Sequence, residues 1–311
     1  MTTIAIIGAG ITGLACAGKL AAAGHHAVLF DKGRGIGGRV ATRRAAGLQF
    51  DHGAQYASTQ GDEFAKVLGK LAATGAVAPW IDGGGQTRCV GVPGMSAMAK
   101  AMAQGLDVRQ NTLVSGLSHN TTGWHLQIAG VVHAAAHVIV TVPAPQLAAL
   151  LGADHPMIAR VAHVRYAPSL TLMAAINGPA PFISHHDPGA DLAWIAQDSS
   201  KPGRPQQEGT AWVAQASAGF SVDHLEQDND TIAALMLPLL CDRLGLTRDH
   251  VTHAAAHRWR YAHVTQALGQ SFLRAGDASL YLGGDWCLGP GIANAWASGV
   301  AIADDLLAHL A

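Results

Sequence analysis

Two short apolar runs flank an alanine-rich segment at the start of the chain. Residues 3–7 (TIAII) and 26–30 (HAVLF) have the length and composition of buried strands, and residues 12–23 between them have the composition of a helix. A strand, a helix and a second strand within about 30 residues predict a βαβ unit with parallel strands.

The middle of the chain has a different pattern, in which polar and apolar residues alternate. Residues 108–142 alternate around turn signals, which predicts a β-meander whose last strand runs into Pro143. Further predicted elements are strands at 169–176, 192–197 and 210–217, a helix at 223–244 capped by Asp223, and a final strand (SLYLGGD, 279–285) that leads into a helix at 292–310. The predicted order is an α/β head, a β-rich middle and an α/β tail.

Composition narrows the class of protein. Of the 311 residues, 49% are hydrophobic and 13% are charged, which is enough apolar material for a large core and for about two domains. The formal net charge is −1 and there is no Lys/Arg run, so we expect neither a nucleic-acid partner nor a membrane surface. The first apolar run lacks the basic flank and cleavage site of a signal peptide, and we expect a cytoplasmic protein.

The cysteines and histidines do not form a metal-binding pattern. Cys16, Cys89, Cys241 and Cys287 lie far apart and make no C-x-x-C pair, which favours free thiols. The histidines are scattered, without a pair beside a carboxylate at ligand spacing. We therefore predict no metal site. The sequence carries no signal for an oligomeric state.

A glycine loop follows the first predicted strand. Residues 8–13 (GAGITG) fit G-x-G-x-x-G, in which Gly8 permits the turn, Gly10 lets the backbone approach a pyrophosphate and Gly13 allows close packing of the helix. Asp31 ends the second strand about 20 residues later, where a ribose hydroxyl needs an acceptor. Together they predict a dinucleotide site.

A second glycine cluster, residues 33–39 (GRGIGGR), goes beyond the needs of a plain NAD domain. Its backbone is expected to approach the ligand, with Arg39 making charge-assisted bonds to the diphosphate. Lys32 and Arg34 are interpreted either as solvated charges or as ligand contacts, and Asp31 as an acceptor argues against a 2′-phosphate. Residues 50–56 (FDHGAQY) predict a further turn close to the ligand.

These glycine motifs resemble the flavin amine oxidase superfamily, and five further segments resemble bacterial renalase-like proteins in particular. The five segments are VGVPGMSAMAKAMA (90–103), DSSKPGR (198–204), WVAQASAGFS (212–221), HRWRYA (257–262) and GGDWC (283–287). The resemblance covers essentially the whole chain in order. It implies an α/β fold with a discontinuous Rossmann-like FAD-binding domain (1–56, 95–155 and 263–311) and a smaller α+β substrate domain built on an antiparallel sheet (57–94 and 156–262).

The activity implied by this resemblance is that of an oxidase with noncovalent FAD. Its substrates would be 2- or 6-dihydronicotinamide isomers of NAD(P)H, which give a hydride to flavin N5. The products would be β-NAD(P)⁺ and, with O2, hydrogen peroxide. Two departures from the family pattern fall where substrate contacts are expected: the segment after GDWC lacks the usual arginine and glutamate, and Asp198 replaces an asparagine before SSKPGR.

The expected FAD contacts come from both ends of the chain and from the second glycine cluster. Asp285 is expected to accept from a ribityl hydroxyl, and the helix beginning near Gly291 to direct its N–H groups at the flavin pyrimidine edge. The full set of expected contacts is Gly8, Ala9, Gly10, Ile11, Thr12, Gly13, Asp31, Lys32, Gly38, Arg39, Gly53, Ala54, Gln55, Val114, Thr141, Gly284, Asp285, Gly291, Ile292 and Ala295.

Loss of hydride from a dihydropyridine needs no general base, because the ring becomes an aromatic cation. The sequence agrees, since it has no Ser/His/Asp order and no obvious paired carboxylates. We therefore predict no catalytic residue in the strict sense. The predicted positioning residues are Gln55, Tyr56, Ser96, Trp259, Tyr261 and Trp286, with Arg165 or Arg258 for a substrate phosphate.

Each of these aromatic residues also fits a role in core packing. Core packing is the better interpretation of Trp124 and Trp212, and the two roles are evenly balanced for Trp259 and Tyr261. Tyr56 is interpreted as lining the pocket. His52 and Cys287 are interpreted as a buried neighbour and a buried thiol rather than as covalent links to flavin.

Three alternatives stay open at the level of sequence. A flavin amine oxidase acting on a small amine would use a substrate-domain lysine and an aromatic cage. Beyond Lys100 the chain has only Lys201, in SSKPGR, and it has four tyrosines in all, so this alternative ranks second. A desaturase or protoporphyrinogen-type oxidase would need a longer substrate domain. A flavin-binding sensor without catalysis would share the fold, because fold does not determine function.

Overall fold

The computed structural model describes residues 3–59, 61–205 and 208–310. It divides into two compact units, each built from separate stretches of chain. Unit 1 consists of Met1–Gly38, Ala99–Arg165 and Val264–Ala311, and unit 2 of Arg39–Met98 and Tyr166–His263.

The helices are α1 (Ile11–Ala22), α2 (Asp62–Ala73), α3 (Ser96–Met102), α4 (Leu147–Leu151), α5 (Pro156–Val161), α6 (Ala218–Asp223), α7 (Asn229–Leu244) and α8 (Ile292–Leu310). The strands are β1 (Ile4–Ile7), β2 (Ala27–Phe30), β3 (Thr42–Ala45), β4 (Leu48–Asp51), β5 (Val77–Ile81), β6 (Thr87–Gly91), β7 (Asp107–Arg109), β8 (Val114–Asn120), β9 (Gly123–Ile128), β10 (Val131–Ala135), β11 (His137–Val140), β12 (Arg165–Ile176), β13 (Ser184–His186), β14 (Leu192–Gln197), β15 (Thr210–Ala216), β16 (Val251–Gln266), β17 (Leu273–Arg274) and β18 (Leu280–Leu282). No helix in the described part of the chain is long and apolar enough to cross a membrane.

Unit 1 contains a six-stranded sheet in the order β17-β18-β11-β1-β2-β7. β1 pairs in parallel with β2 and with β11, and only the edge strand β17 pairs antiparallel. All four residues of β1 are buried, as expected of a parallel strand covered on both faces. The predicted βαβ unit of β1, α1 and β2 is confirmed.

The predicted β-meander is confirmed for three strands and wrong for the fourth. β8, β9 and β10 form an antiparallel sheet of their own. β11 leaves it and pairs in parallel with β1 and β18. The physical reason is burial: Val138, Ile139 and Val140 are all fully buried, so this strand requires cover on both faces, which the meander does not provide.

Unit 2 is built on a five-stranded sheet in the order β13-β14-β15-β12-β16, and the predicted strands at 169–176, 192–197 and 210–217 are its central three. One face packs on α7 through residues such as Leu172, Ile195 and Trp212. The other face packs on β4, where Leu48 and Phe50 contact the sheet. The edge strand β16 was not predicted, because its many histidines and arginines obscure the alternation of polar and apolar residues.

The helix predicted at 223–244 is in fact two helices. α6 ends at Asp223, and α7 begins only after Asp228, whose Oδ1 accepts a hydrogen bond from Thr231 N–H at 2.8 Å. Asp223 is therefore not the N-cap. An aspartate at position 223 or at position 228 fits the N-cap pattern. Because the chain turns between α6 and α7, it is Asp228 that precedes α7 and accepts the capping hydrogen bond.

The unit boundaries differ from the predicted domain boundaries at four places. Residues 39–56, 95–98 and 263 belong to unit 2, whereas 156–165 belong to unit 1. The first difference follows from β4, because Leu48 and Phe50 share a core with Met173 and Val213 of the five-stranded sheet. Burial of this hairpin against the sheet outweighs its nearness in sequence to the glycine clusters.

Candidate functional site

The first glycine loop of unit 1 forms an open cradle at the start of α1. Gly10 precedes the helix and gives it no side-chain cap, which leaves first-turn amides available to a ligand. A Cβ on Gly10 would meet no heavy atom within 4 Å, whereas one on Gly13 would lie 2.1 Å from the Gly8 carbonyl oxygen. Gly10 thus borders open space, and Gly13 allows the close packing that the motif predicts.

Asp31 joins the two glycine clusters. Its Oδ2 accepts a hydrogen bond from Ala9 N–H and its Oδ1 accepts one from Gly33 N–H, both at 2.7 Å. The carboxylate is partly exposed, and each oxygen has a further acceptor site. Asp31 is therefore held rigidly while keeping capacity for a ribose hydroxyl.

Hydrogen bonds from Thr141 and Gly37 hold the same glycine loop in place. Thr141 Oγ1 donates to the carbonyls of Ile7 and Gly8, each at 3.0 Å. Gly37 N–H donates to the Ala9 carbonyl at 2.9 Å and so ties the second cluster to the first. These bonds fix the loop through groups that lie outside the space above Gly10.

The C-terminal stretch of unit 1 forms a second turn after a strand. β18 is followed by a 3₁₀ turn at Asp285–Cys287, and α8 then begins at Ile292. Asp285 is 5% exposed. Gly291 is exposed, has a φ of 127°, and borders open space where a Cβ would be. The start of α8 is thus a second place where backbone faces free volume.

Two side chains of this stretch belong to the core of unit 1. Trp286 is 1% exposed and donates from Nε1 to the Val142 carbonyl at 3.1 Å. The prediction that Trp286 faces a substrate ring is therefore wrong, because its ring is packed and its one donor is used. Burial raises the pKa of the Cys287 thiol to about 12, as expected of an inert thiol.

The remaining predicted contacts lie in several places. Val114 is buried at the start of β8, Lys32 is exposed and contacts Gln146, and Gly38 is exposed beside Gly10. The contacts in unit 1 are Gly8, Ala9, Gly10, Ile11, Thr12, Gly13, Asp31, Lys32, Gly38, Val114, Thr141, Gly284, Asp285, Gly291, Ile292 and Ala295. Those in unit 2 are Arg39, Gly53, Ala54 and Gln55.

In unit 2, Arg39 and the turn at 52–56 hold each other. Arg39 Nη1 donates to the Ala262 carbonyl at 2.9 Å, and its own carbonyl accepts from Ala54 N–H at 2.9 Å. Gly53 is required here, because a Cβ on it would lie 1.9 Å from the Arg39 carbonyl oxygen. Trp259 Nε1 donates to the His52 carbonyl at 2.7 Å, which brings the HRWRYA segment to this turn.

Gln55 is 6% exposed, and its amide is fully used within unit 2. Nε2 donates to the carbonyls of Asp51 and Gly53, while Oε1 accepts from Lys201 Nζ at 3.3 Å and from Trp194 Nε1 at 3.4 Å. Two donors and two acceptor sites are the whole capacity of the group. The side-chain amide of Gln55 is therefore committed to partners within unit 2, and its role as an FAD contact and positioning residue stays a prediction.

Four further positioning residues were predicted, namely Tyr56, Trp259, Tyr261 and Ser96. Tyr56 and Trp259 are partly exposed and lie at the turn just described. Tyr261 packs edge-on against Tyr166 with ring centroids 5.6 Å apart. Ser96 begins α3, where its N–H donates to Thr42 Oγ1 at 3.0 Å, so its backbone is structural.

Arg165 and Arg258 each hydrogen-bond nearby backbone through Nη1, and the prediction that one of them binds a substrate phosphate stays a prediction. Arg165 Nη1 donates to the carbonyls of Ala162 and Val164, and Arg258 Nη1 donates to those of Leu225 and Gln227. These bonds use one nitrogen of each guanidinium group, which carries five N–H donors in all.

Paired carboxylates, which the sequence analysis did not identify, lie at the centre of unit 2. Asp51 and Asp198 are buried together with Lys201 and Arg204, and the side chains of all four are at most 1% exposed. Lys201 Nζ lies 2.6 Å from Asp198 Oδ1 and 3.2 Å from Asp51 Oδ2. The signal was present as Asp, Lys and Arg three residues apart in DSSKPGR, but their partner Asp51 is distant in sequence.

Unit 1 therefore fits a long dinucleotide: it has an uncapped helix start over open space, a held acceptor at Asp31 and a second backbone cradle at Gly291. A family model described as NAD(P)-binding Rossmann-like domain matches residues 6–71. A second model, flavin containing amine oxidoreductase, matches residues 80–307. The chain belongs to this flavin amine oxidoreductase family. FAD is accordingly the cofactor of this flavoprotein, and the chain is a flavin-dependent oxidoreductase.

Individual relatives of this flavoprotein agree with the family but do not give a substrate. It is 48% identical over 50 residues to 4,4'-diapophytoene desaturase (4,4'-diaponeurosporene-forming) of Staphylococcus haemolyticus, and 46% identical over 50 residues to that of Staphylococcus aureus strain Newman. The match spans 16% of this chain and only 10% of each desaturase.

Solved structures resemble the flavoprotein over its whole length. A provisionally assigned protoporphyrinogen oxidase from Exiguobacterium sp. 255-15 has a TM-score of 0.79 at 14% identity, over 99% of both chains. Wild-type putrescine oxidase bound to putrescine has a TM-score of 0.73 at 14% identity, also over 99% of both chains. At this level of identity the likeness establishes the fold alone.

Proposed function

We propose that this flavoprotein oxidises 2- or 6-dihydronicotinamide isomers of NAD(P)H to β-NAD(P)⁺ and, with O2, forms hydrogen peroxide. Bound FAD supplies the hydride acceptor. The proposal is supported by membership of the flavin amine oxidoreductase family and by the renalase-like segments DSSKPGR, HRWRYA and GGDWC. It is also supported by the burial and ion pairing of one lysine.

That lysine, Lys201, favours dihydropyridine oxidation over amine oxidation. Its side chain is 0% exposed and is ion-paired with both Asp51 and Asp198. Removing one partner from a buried ion pair leaves an uncompensated charge, so this lysine is committed to the two carboxylates and is not available to a reacting amine. Hydride loss from a dihydropyridine asks for no base and loses nothing by this arrangement.

The residues of the two units would have separate tasks. In unit 1, the first-turn amides of α1 would bind the diphosphate, Asp31 would accept from a ribose and Asp285 from a ribityl hydroxyl. In unit 2, the partly exposed rings of Tyr56 and Trp259 would orient the substrate. Positive charge develops on the nicotinamide as hydride leaves, and the faces of aromatic rings favour a cation.

Anaerobic stopped-flow absorbance tests this proposal. The FAD-loaded protein is mixed separately with each dihydronicotinamide isomer and with a small amine such as putrescine. We expect fast loss of the oxidised flavin band with the isomers only, and peroxide equal to product once air is admitted. Bleaching by the amine alone would instead make the protein an amine oxidase. A bound flavin that neither compound bleaches would make it a sensor.

A further inference from the structure

The four buried charges of unit 2 form a neutral cluster. Arg204 Nε lies 3.2 Å from Asp198 Oδ2, its Nη2 contacts Asp51 Oδ2, and Lys201 contacts both carboxylates. Two anions and two cations balance, so the cluster is tolerated in the interior. Such a cluster adds little stability over well-packed apolar residues, and its best-attested use is to specify one arrangement of the groups around it.

The cluster fixes the orientation of the Gln55 side-chain amide. The Lys201 ammonium group and the Trp194 indole N–H are both donors, and both point at Gln55 Oε1. The carbonyls of Asp51 and Gly53 are acceptors, and both face Nε2. A rotation of the amide by half a turn would oppose donors to donors and acceptors to acceptors. The cluster therefore allows one orientation of Gln55, and Gln55 in turn fixes the indole of Trp194.

Trp194 differs from an ordinary core tryptophan. It is partly exposed, and it lies 5.7 Å from the ring of Tyr56 at an interplanar angle of 58°. On the same strand, Ile195 is buried towards α7, so Trp194 lies on the opposite face of the sheet. Gln215, its cross-strand neighbour, donates to the Gly53 carbonyl at 2.7 Å, which places Trp194 beside the turn at 52–56.

The second ring of this corner is held in a similar way. The guanidinium carbon of Arg88 lies 4.3 Å from the centroid of the Tyr56 ring, and Arg88 Nε donates to Asp82 Oδ2 at 2.8 Å. Each ring is thus backed by a cation that is itself ion-paired, Tyr56 directly and Trp194 through Gln55. Two fixed, partly exposed aromatic faces at an angle suit a planar ring that becomes positively charged.

We propose that Lys201 and Gln55 are positioning residues that fix the Trp194 indole beside Tyr56, and that the Tyr56–Trp194 corner receives the planar nicotinamide ring of the substrate. The identity of that ring rests on the proposed function, whereas the relay from Lys201 to Trp194 does not. Trp194 and Tyr56 contact substrate in this proposal, while Lys201 and Gln55 act through them.

A double-mutant cycle between Gln55→Met and Trp194→Phe tests the relay, because phenylalanine keeps a ring and loses the indole N–H. Gln55→Met alone is expected to raise KM for the dihydronicotinamide isomer roughly three- to tenfold, the usual effect of one lost hydrogen bond, with little change in kcat. In the Trp194→Phe background the same change should add no further rise. Trp212→Phe is the matched control, since that buried indole donates only to Thr210 within the same sheet; it should lower stability and leave KM unchanged.

Fluorescence provides a readout that does not depend on turnover. The difference spectrum between each protein and its Trp194→Phe counterpart isolates the emission of Trp194. Gln55→Met, and Lys201→Met where it folds, should shift that difference spectrum. Fully additive KM effects, or a Trp194 spectrum that Gln55→Met leaves unchanged, would overturn the relay. A wild type that binds no β-NAD⁺ and oxidises neither isomer would refute the proposed function and the ring assignment, while the spectrum would still decide the relay.

Discussion

His52 lies among other aromatic rings at the turn of unit 2. It stacks on Trp259 with centroids 5.4 Å apart and meets His257 edge-on at 4.9 Å. Its buried Nδ1 has no hydrogen-bond partner among the described residues. Burial, followed by the charges of His257 and Arg43, lowers the pKa of His52 to about 4, although Asp198 and the Phe50 carbonyl act in the opposite direction. His52 is therefore neutral at physiological pH.

This neutral histidine makes stability depend on pH. Between pH 6.5 and 4 the unfolded chain binds a proton that folded His52 does not, so the free energy of unfolding falls as the pH decreases through this range. By pH 4, His52 alone lowers the free energy of unfolding by roughly 3 kcal/mol relative to neutral pH. Urea titrations at a series of pH values should show that His52→Asn flattens this dependence. His163→Asn, at an exposed histidine, should keep the wild-type slope.

At the scale of single residues, sequence identifies groups whose role depends on near neighbours in the chain. Asp31 was found because its partners Ala9 and Gly33 belong to fixed motifs. Trp286 was misassigned, and the partner Trp194 of Gln55 was not found, because the hydrogen bonds of these residues go to groups far away in sequence. Choice of partner for a polar side chain is a tertiary property, and composition or spacing does not encode it.

At the scale of elements, α1 and α8 approach each other through glycine. A Cβ on Gly299 would lie 2.1 Å from the Thr12 carbonyl oxygen, and one on Gly13 equally close to that of Gly8. Both neighbours are backbone, which moves only if the helix moves. Gly18, also on α1, has nothing within 4 Å of its Cβ position. The same helix therefore has glycines with opposite expected responses to alanine.

We expect Gly299→Ala and Gly13→Ala to lower the free energy of unfolding by about 1–3 kcal/mol through overpacking. Gly18→Ala should raise it by about 0.5–1 kcal/mol, because alanine favours the helix where space allows. Urea denaturation followed by circular dichroism measures all three. Equal effects at Gly18 and Gly299 would contradict the close approach of α1 and α8.

The elements that sequence predicted well are those with one clear periodicity. β1, α1, β2 and the three central strands of unit 2 all have patterns of that kind. β11 was placed in the wrong sheet because pairing depends on which strand offers cover on both faces, and β16 was missed because charged residues occupy an edge strand.

At the scale of the whole molecule, unit 1 is assembled from three stretches of chain, and the proposed FAD contacts use all three. The glycine loop belongs to the first, Thr141 to the second and Asp285 to the third. A ligand that binds such a site only in the folded state stabilises the chain by mass action. FAD should therefore act on unit 1 as a non-covalent link between segments distant in sequence.

Thermal unfolding with and without added FAD measures this link. At a concentration 100 times its dissociation constant, FAD should contribute about 2.7 kcal/mol and raise Tm by roughly 5–10 °C. Asp285→Ala removes an acceptor that is proposed for a ribityl hydroxyl, so at the same FAD concentration the rise should shrink, by roughly 1 kcal/mol or more. Asp304→Ala breaks only an exposed ion pair with Lys19 and should keep the wild-type rise. If Asp285→Ala keeps the full rise in Tm and the wild-type dissociation constant, Asp285 does not hold FAD, and the C-terminal cradle serves the fold of α8 alone.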